Sequence, residues 1–248
     1  APFKTAVPHV DRMHVETPGT NAATATGYLD NIRLQGEARS LETTVRDVFN
    51  EFPNGTKAKE YRSTTPTDLQ QLDWSFQKTS AVSSDVCEIA PTPSASDKSF
   101  KCVDSSSSGN VNLTRDWGRV DSGLVTIEFK FMQNAAQRWT RFFVGNDTET
   151  LIELYDTSSD GFAFKTGPDS APYVSLGTVT ANTWHKVKLA IDMDDRTFDA
   201  WFDGVAALKD QPFTETSWSA LNNLKIRTGD SPTVTLYVDD VRVTVERP

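Results

Sequence analysis

The 248-residue sequence contains only two cysteines, three histidines and three methionines. Two cysteines and three scattered histidines cannot build a four-ligand zinc site from a local motif. No apolar run approaches the ~18 residues that a membrane-spanning helix needs, so no membrane span is expected. Basic residues are outnumbered, 25 against 34, leaving a formal charge of −9. That balance argues against nucleic acid and against an anionic membrane surface as default partners. Apolar residues make up only 37 % of the chain, yet six tryptophans and fourteen phenylalanines supply large buried area. The length is enough for one large domain or two small ones, with a substantial core.

What the sequence does contain is alternation. Residues 124–131, 139–144, 151–155, 161–165, 184–191, 197–202, 223–228 and 235–243 each alternate apolar and polar side chains. They are rich in β-branched and aromatic residues, as half-buried strands are. Turn residues separate them, including Asp203-Gly204, a hairpin signal of the type I′ kind. Many strands with no long helical period between them predict an antiparallel two-sheet sandwich. A weak helical pattern covers 41–49, although Thr43, Thr44 and Val45 are poor helix formers. Residues 53–108 are rich in Ser, Thr, Pro and Asp but carry Trp74, Phe76, Phe100 and Val103. They read as long surface loops tied to a core rather than as a disordered linker.

An internal echo links the two ends. Phe3, Val15 and Tyr28 align with Phe213, Ile226 and Tyr237 at nearly constant offset. Residues 1–36 therefore read as the C-terminal strands of a preceding similar domain, 37–44 as a linker and 45–248 as the complete domain. Phe3, Val10, Met13, Val15, Tyr28 and Ile32 then need a core elsewhere. The expected partner of this segment is the missing upstream part of the same protein or a neighbouring copy.

The hairpin Ile191-Asp-Met-Asp-Asp-Arg-Thr-Phe-Asp-Ala-Trp-Phe-Asp-Gly204 is preceded by Asn182-Thr-Trp-His-Lys-Val187. Together they resemble the laminin-G/concanavalin A-like jelly-roll family, as does the ending Leu236-Tyr-Val-Asp-Asp-Val241. Residues 93–100 and 121–129 are similar to modules appended to secreted polysaccharide-degrading enzymes. The resemblance implies an all-β, two-sheet antiparallel jelly-roll sandwich, secreted, with polysaccharide as partner. The function it implies is that of a non-catalytic carbohydrate-binding or accessory module. A polysaccharide lyase or glycoside hydrolase acting in a concave groove is the alternative, and an adhesion or filament protein using strand complementation a third.

Glycosidases of this fold carry Glu-x-Asp-x-x-Glu on one strand, so that acid and nucleophile flank the bond. The nearest match, Asp192-Met-Asp194-Asp195, lacks both Glu residues and sits at a turn. The Gln-x-His strand of alginate-lyase-type jelly rolls is absent as well, so no catalytic residue is assigned. If Ile127, Phe129 and Phe131 face the core, Glu128 and Lys130 face away. The same phase puts Arg141, Phe143, Glu153, Tyr155 and Lys165 on polar faces. With Trp139 beside a turn, these residues are candidates for a carbohydrate groove, or else form an ordinary solvated sheet face. Trp117 and Trp218 also lie beside turns.

By resemblance, a structural Ca²⁺ would sit between Glu51 and Asp239 or Asp240, hard oxygen ligands that suit this ion; no catalytic cofactor is required. Cys87 and Cys102 stand fifteen residues apart, each in a β-like run. They read as a disulfide stapling two strands, or as free thiols if the protein is cytosolic. Three Asn-x-Thr sequons, at Asn54, Asn112 and Asn146, are no more than composition gives by chance and are no evidence of glycosylation.

Overall fold

A computed structural model of the chain describes residues 40–47, 49–56, 59–60, 74–78, 85–94, 96–105, 109–136, 139–157, 161–167, 172–215, 218–229 and 233–247. The segment 1–36 and its expected partner contacts lie outside the described residues. Among the described residues sixteen strands form two stacked sheets.

The first sheet contains β1 (Ser40–Asp47), β4 (Val86–Ser94), β5 (Asp97–Asp104), β7 (Leu124–Gln133), β12 (His185–Asp192), β13 (Thr197–Phe202), β14 (Val205–Pro212) and β16 (Val234–Arg247). The second contains β2 (Lys59–Glu60), β3 (Trp74–Lys78), β6 (Val111–Val120), β8 (Arg141–Gly145), β9 (Thr150–Thr157), β10 (Gly161–Lys165), β11 (Tyr173–Gly177) and β15 (Leu221–Arg227). In the first sheet the order is β14-β13-β12-β7-β16-β5-β4, with β1 also paired to β16. In the second it is β11-β10-β9-β8-β15-β6-β3-β2. The pairings are antiparallel except that of β2 with β3.

Alternation positions the layers. Along β7 every second residue is buried, and Val125, Ile127, Phe129 and Phe131 enter the core at 0–1 % exposure. Phe131 meets Phe142 of β8 and Phe162 of β10 at ring-centroid distances of 4.9 and 5.3 Å. Phe162 in turn stacks on Phe202 of β13 at 4.9 Å. Each fully buried phenylalanine contributes roughly 1.5–3 kcal/mol of apolar transfer, so this aromatic stack is a large part of the core that joins the sheets. The turn at Asp203-Gly204 has φ of 50° and 80°, positive at both central positions as the hairpin signal requires. His185 fastens that turn. The Thr180 N–H donates to its Nε2 at 2.9 Å, so the proton sits on Nδ1 and is given to Asp203 at 2.8 Å.

Three sequence expectations need correction. The stretch 41–49 is not helical: β1 runs through residue 47, and only Phe49–Glu51 forms a 3₁₀ turn. Pairing with β16 supplies the ladder that weak local propensity did not signal. Because β1 begins at Ser40, residues 40–44 of the expected linker lie in the sandwich.

The interval 53–108 is tied to the core as expected, but its described residues are mostly strand, β2 to β5, rather than the long surface loops that its composition suggested. Trp74 and Phe100 are 1 % and 0 % exposed and stack at 5.5 Å. Cys87 and Cys102 are directly opposite each other on β4 and β5 and form a disulfide. Where the sheets meet near β1, the buried Asp47 accepts hydrogen bonds from Trp74 Nε1 and Arg115 Nε, both at 2.7 Å. Arg115 of β6 is itself buried, so this is an ion pair inside the sandwich.

Candidate functional site

The residues singled out from phase do not form one group. Glu128 and Lys130 lie on β7, in the first sheet, whereas Arg141, Phe143, Glu153, Tyr155 and Lys165 lie on β8, β9 and β10, in the second. Phase reports which way a side chain points but not which sheet its strand joins, and that is why one groove was read where there are two faces.

On the first sheet, Glu128 pairs with Lys186 at 3.1 Å and Lys130 pairs with Asp240. Both line a shallow depression of about 280 Å³ with Arg46, Lys186 and Arg242. Glu128 and Asp240 each hold one lysine, Arg46 and Arg242 stand opposite each other on β1 and β16, and the aromatic side chain at its floor, Phe129, is fully buried.

The second sheet is different. Register places Arg141 opposite Tyr155 and Phe143 opposite Glu153, so all four side chains share the outer face. Tyr155 lies opposite Ala163, and Ala163 opposite Ser175, which carries the face across β10 to β11. Glu153 and Tyr155 point away from the core and are nonetheless only 6 % and 3 % exposed. Their neighbours therefore stand above them, and β9 forms a floor. Glu153 sits between Arg141 at 3.5 Å and Lys165 at 3.4 Å. Arg141 lies over the Tyr155 ring, 4.4 Å from its centroid, and its Nη2 donates to the phenolic oxygen at 3.3 Å. Burial raises the Tyr155 pKa, with the hydrogen bond from Arg141 acting against it.

Three aromatic rings run along this floor. Trp139 meets Tyr155 edge-on at 5.7 Å, and Tyr155 meets Tyr173 of β11 at 5.6 Å. Trp139 is 47 % exposed, whereas the other large aromatic side chains described are buried or half-buried. It also holds a left-handed backbone at φ 60°. A buried network imposes that conformation: the Trp139 N–H donates to the Asp156 carbonyl at 3.1 Å, Gln133 Nε2 donates to the Asp156 carboxylate at 2.5 Å, and Thr140 donates to Gln133 at 3.1 Å. Such conformations in non-glycine residues persist only where surrounding contacts over-determine them. The structure uses that network to hold a tryptophan out in solvent beside two tyrosines. Sequence reading missed Tyr173, because β11 joins the face through a hairpin with no strong alternation. It also missed Lys225 and Arg227 of β15, which lie opposite Phe143 and Arg141.

The remaining candidates have other roles. Trp218 packs on Phe213 at 5.6 Å, and Trp117 packs against the core. The Asp192 carboxylate accepts the N–H groups of Asp194 and Asp195 at 3.0 and 2.9 Å, so these acids build a turn.

Of the three expected Ca²⁺ ligands, Asp239 and Asp240 are described. Asp240 is engaged by Lys130, and Asp239 accepts the Asp240 N–H at 2.8 Å. Among the described residues no three His, Cys, Asp or Glu side chains gather closely enough to hold a metal; the Glu51 side chain lies outside them. Instead, burial pushes the Asp239 carboxyl from 3.8 up to about 6. A raised carboxyl pKa adds stability below the unfolded value and loses it as pH rises through the folded value. Asp239→Asn keeps an acceptor for the Asp240 N–H. It is expected to exceed the native chain in stability at pH 8 and to lose that margin by pH 4, measured by urea unfolding at both pH values. A margin independent of pH would show that Asp239 carries no such penalty.

No family model matches the chain, and no curated protein matches it. Solved structures do match in fold. A sialidase superposes with a TM-score of 0.62 at 11 % identity, over 81 % of this chain and 18 % of that one. The cellulose-induced protein Cip1 gives 0.52 at 12 % identity, over 70 % and 91 %. The catalytic domain of a glycoside hydrolase family 131 protein from Coprinopsis cinerea gives 0.52 at 17 % identity, over 82 % and 94 %. The chain thus spans under a fifth of the sialidase and most of the other two. With its two antiparallel sheets, it has the concanavalin A-like jelly-roll fold that the resemblance implied.

Proposed function

We propose that this chain is a non-catalytic carbohydrate-binding module of a secreted polysaccharide-degrading system, and that it binds on the outer face of the second sheet. The observation that carries this reading is the exposed Trp139 and the half-buried Tyr173 packed on either side of the buried Tyr155, with Arg141 and Lys165 among the rings. Aromatic faces stack on the apolar faces of sugar rings, and charged donors fix hydroxyl or acidic groups. The fold neighbours include proteins named for sialidase and glycoside hydrolase activity, which supports a carbohydrate ligand. A disulfide supports an oxidising, extracellular compartment. Among the described residues no helix is long and apolar enough to cross a membrane.

Two features weigh against catalysis on this face. Tyr155 has a raised pKa, the wrong direction for a phenolate base. The outward carboxylate on β6, Asp116, is separated from Glu153 by β15 and β8. Three inter-strand spacings make about 14 Å, beyond the roughly 5–9.5 Å across which paired carboxylates cleave glycosides.

Affinity electrophoresis through gels containing a panel of neutral and acidic polysaccharides tests the reading. The native chain should be retarded by at least one polymer. Trp139→Ala should weaken that retardation about fivefold, the loss of one ring contact worth about 1 kcal/mol. Unaltered mobility in every gel would overturn the proposal.

A further inference from the structure

Composition gives no weight to the three Asn-x-Thr sequons, at Asn54, Asn112 and Asn146, but the fold treats them differently. We infer that Asn54 is an acceptor for an N-linked glycan and that the other two are not. This acceptor role rests on the secreted route read above and is independent of what the chain binds.

Asn54 stands second in the turn Pro53-Asn54-Gly55-Thr56. The Thr56 N–H donates to the Pro53 carbonyl at 3.2 Å, and Gly55, third in the turn, has a φ of 79°. That is the type II arrangement, which calls for glycine at this position. Backbone bonds fasten the turn to β4. The Gly55 N–H donates to the Ile89 carbonyl and the Ile89 N–H to the Thr56 carbonyl, both at 2.8 Å. The Asn54 side chain is exposed, and among the described residues nothing engages its amide. A methyl group placed on Gly55 would meet no atom within 4 Å, so the space beside Asn54 is open. A bulky, solvated glycan needs such a place.

Asn146 is tied into its own turn. Its Nδ2 donates to the Glu149 carboxylate at 2.6 Å and to the Ala220 carbonyl at 3.1 Å. A side-chain amide has two N–H groups, and both are used. Its Oδ1 accepts the N–H groups of Thr148 and Glu149, each at 2.9 Å. A sugar on Nδ2 would replace one hydrogen and break one of these bonds. Asn112 is half-buried on β6, flanked by Arg227 and Gln77, and its Nδ2 donates to Asn110 at 3.0 Å. A glycan there would stand on the outer face of the second sheet, where we place the ligand. Asn54 is clear of that face's rings: β11, which carries Tyr173, packs beside β13 and β14, at the other end of the first sheet from β4.

In the transfer, Asn54 Nδ2 forms a bond to C1 of an oligosaccharide carried on a polyprenyl diphosphate. The C1–O bond to the diphosphate breaks, the lipid diphosphate leaves and the amide gives up one proton. The Cys87–Cys102 disulfide fits passage through the oxidising compartment in which such a donor meets a secreted chain.

The test is made on the full chain secreted from a eukaryotic host and treated, in heavy-oxygen water, with an amidase that releases N-glycans. The expected result is a mobility shift of one glycan, with a labelled aspartate left at position 54 and no label at 112 or 146. Asn54→Gln and Thr56→Ala should each abolish the shift, and Thr56→Ser should keep it. No shift in the native chain, a shift that survives Asn54→Gln, or label at 112 or 146 would overturn the assignment. The label is read on the native chain, so the outcome does not depend on how well a variant folds.

Discussion

Asp47→Ala is expected to cost the fold about 3–5 kcal/mol, the penalty for leaving one member of a buried ion pair without its partner. Asp47 and Arg115 have side chains only 2 % and 7 % exposed, and they bridge β1 of one sheet to β6 of the other. Arg115 donates to both carboxylate oxygens, at 2.7 and 3.2 Å, and Trp74 Nε1 donates to one of them at 2.7 Å. Removing the carboxylate therefore takes the acceptor from a buried indole N–H and two of the guanidinium's hydrogen bonds, while that from Arg115 to the Asp116 carbonyl remains. The pair itself need not be strongly stabilising, because desolvation offsets most of its attraction. A double replacement, Asp47→Leu with Arg115→Met, should therefore recover much of what the single variant loses. Urea unfolding of the three chains checks both statements. A loss below 1 kcal/mol for Asp47→Ala would mean that water already reaches the pair.

Removing the disulfide is the second large effect. Cys87→Ser with Cys102→Ser should lower stability by about 3 kcal/mol, the loop-entropy value for a link closing about 15 residues. The bond joins β4 to β5, and β4 is the edge of the first sheet, with β5 as its neighbour. On its other side, among the described residues, β4 is held by the backbone hydrogen bonds of Ile89 with Gly55 and Thr56, both at 2.8 Å, so the covalent link reinforces a lightly tied edge. Both sulfur positions are buried, at 0 % and 1 % exposure, which adds a polar-burial cost to each serine. Native chain melted with and without reductant gives the same comparison without mutation. Equal midpoints would show that the ladder alone holds the edge.

Strands and their inward faces were legible because burial of one face writes a period of two into the chain. Residues 124–131 alternate in sequence as they do in burial. The site was legible only in part. Arg141, Glu153 and Tyr155 came from phase and do share a face, because β8 and β9 are joined by a short connection. Arg227 did not, because its pairing with β8 spans the 86 residues from Arg141 to Arg227, and no local pattern encodes a contact that distant. Arg115 was readable in principle. It falls in the apolar phase of Val111 and Leu113, and a charge in that phase announces a buried partner. Asp47 gave no such sign, since β1 did not read as a strand at all.

The pairing of β1 with β16 places Ser40 opposite Arg247. The path into the sandwich and the path out of it lie one strand spacing apart, about 5 Å. Anything joined on either side is therefore attached at one corner of the sandwich. The same closeness makes the domain a candidate for circular permutation. A short Gly-Ser bridge from residue 247 to residue 40, with new ends opened in the 203–204 turn, should close without stretching the sheet.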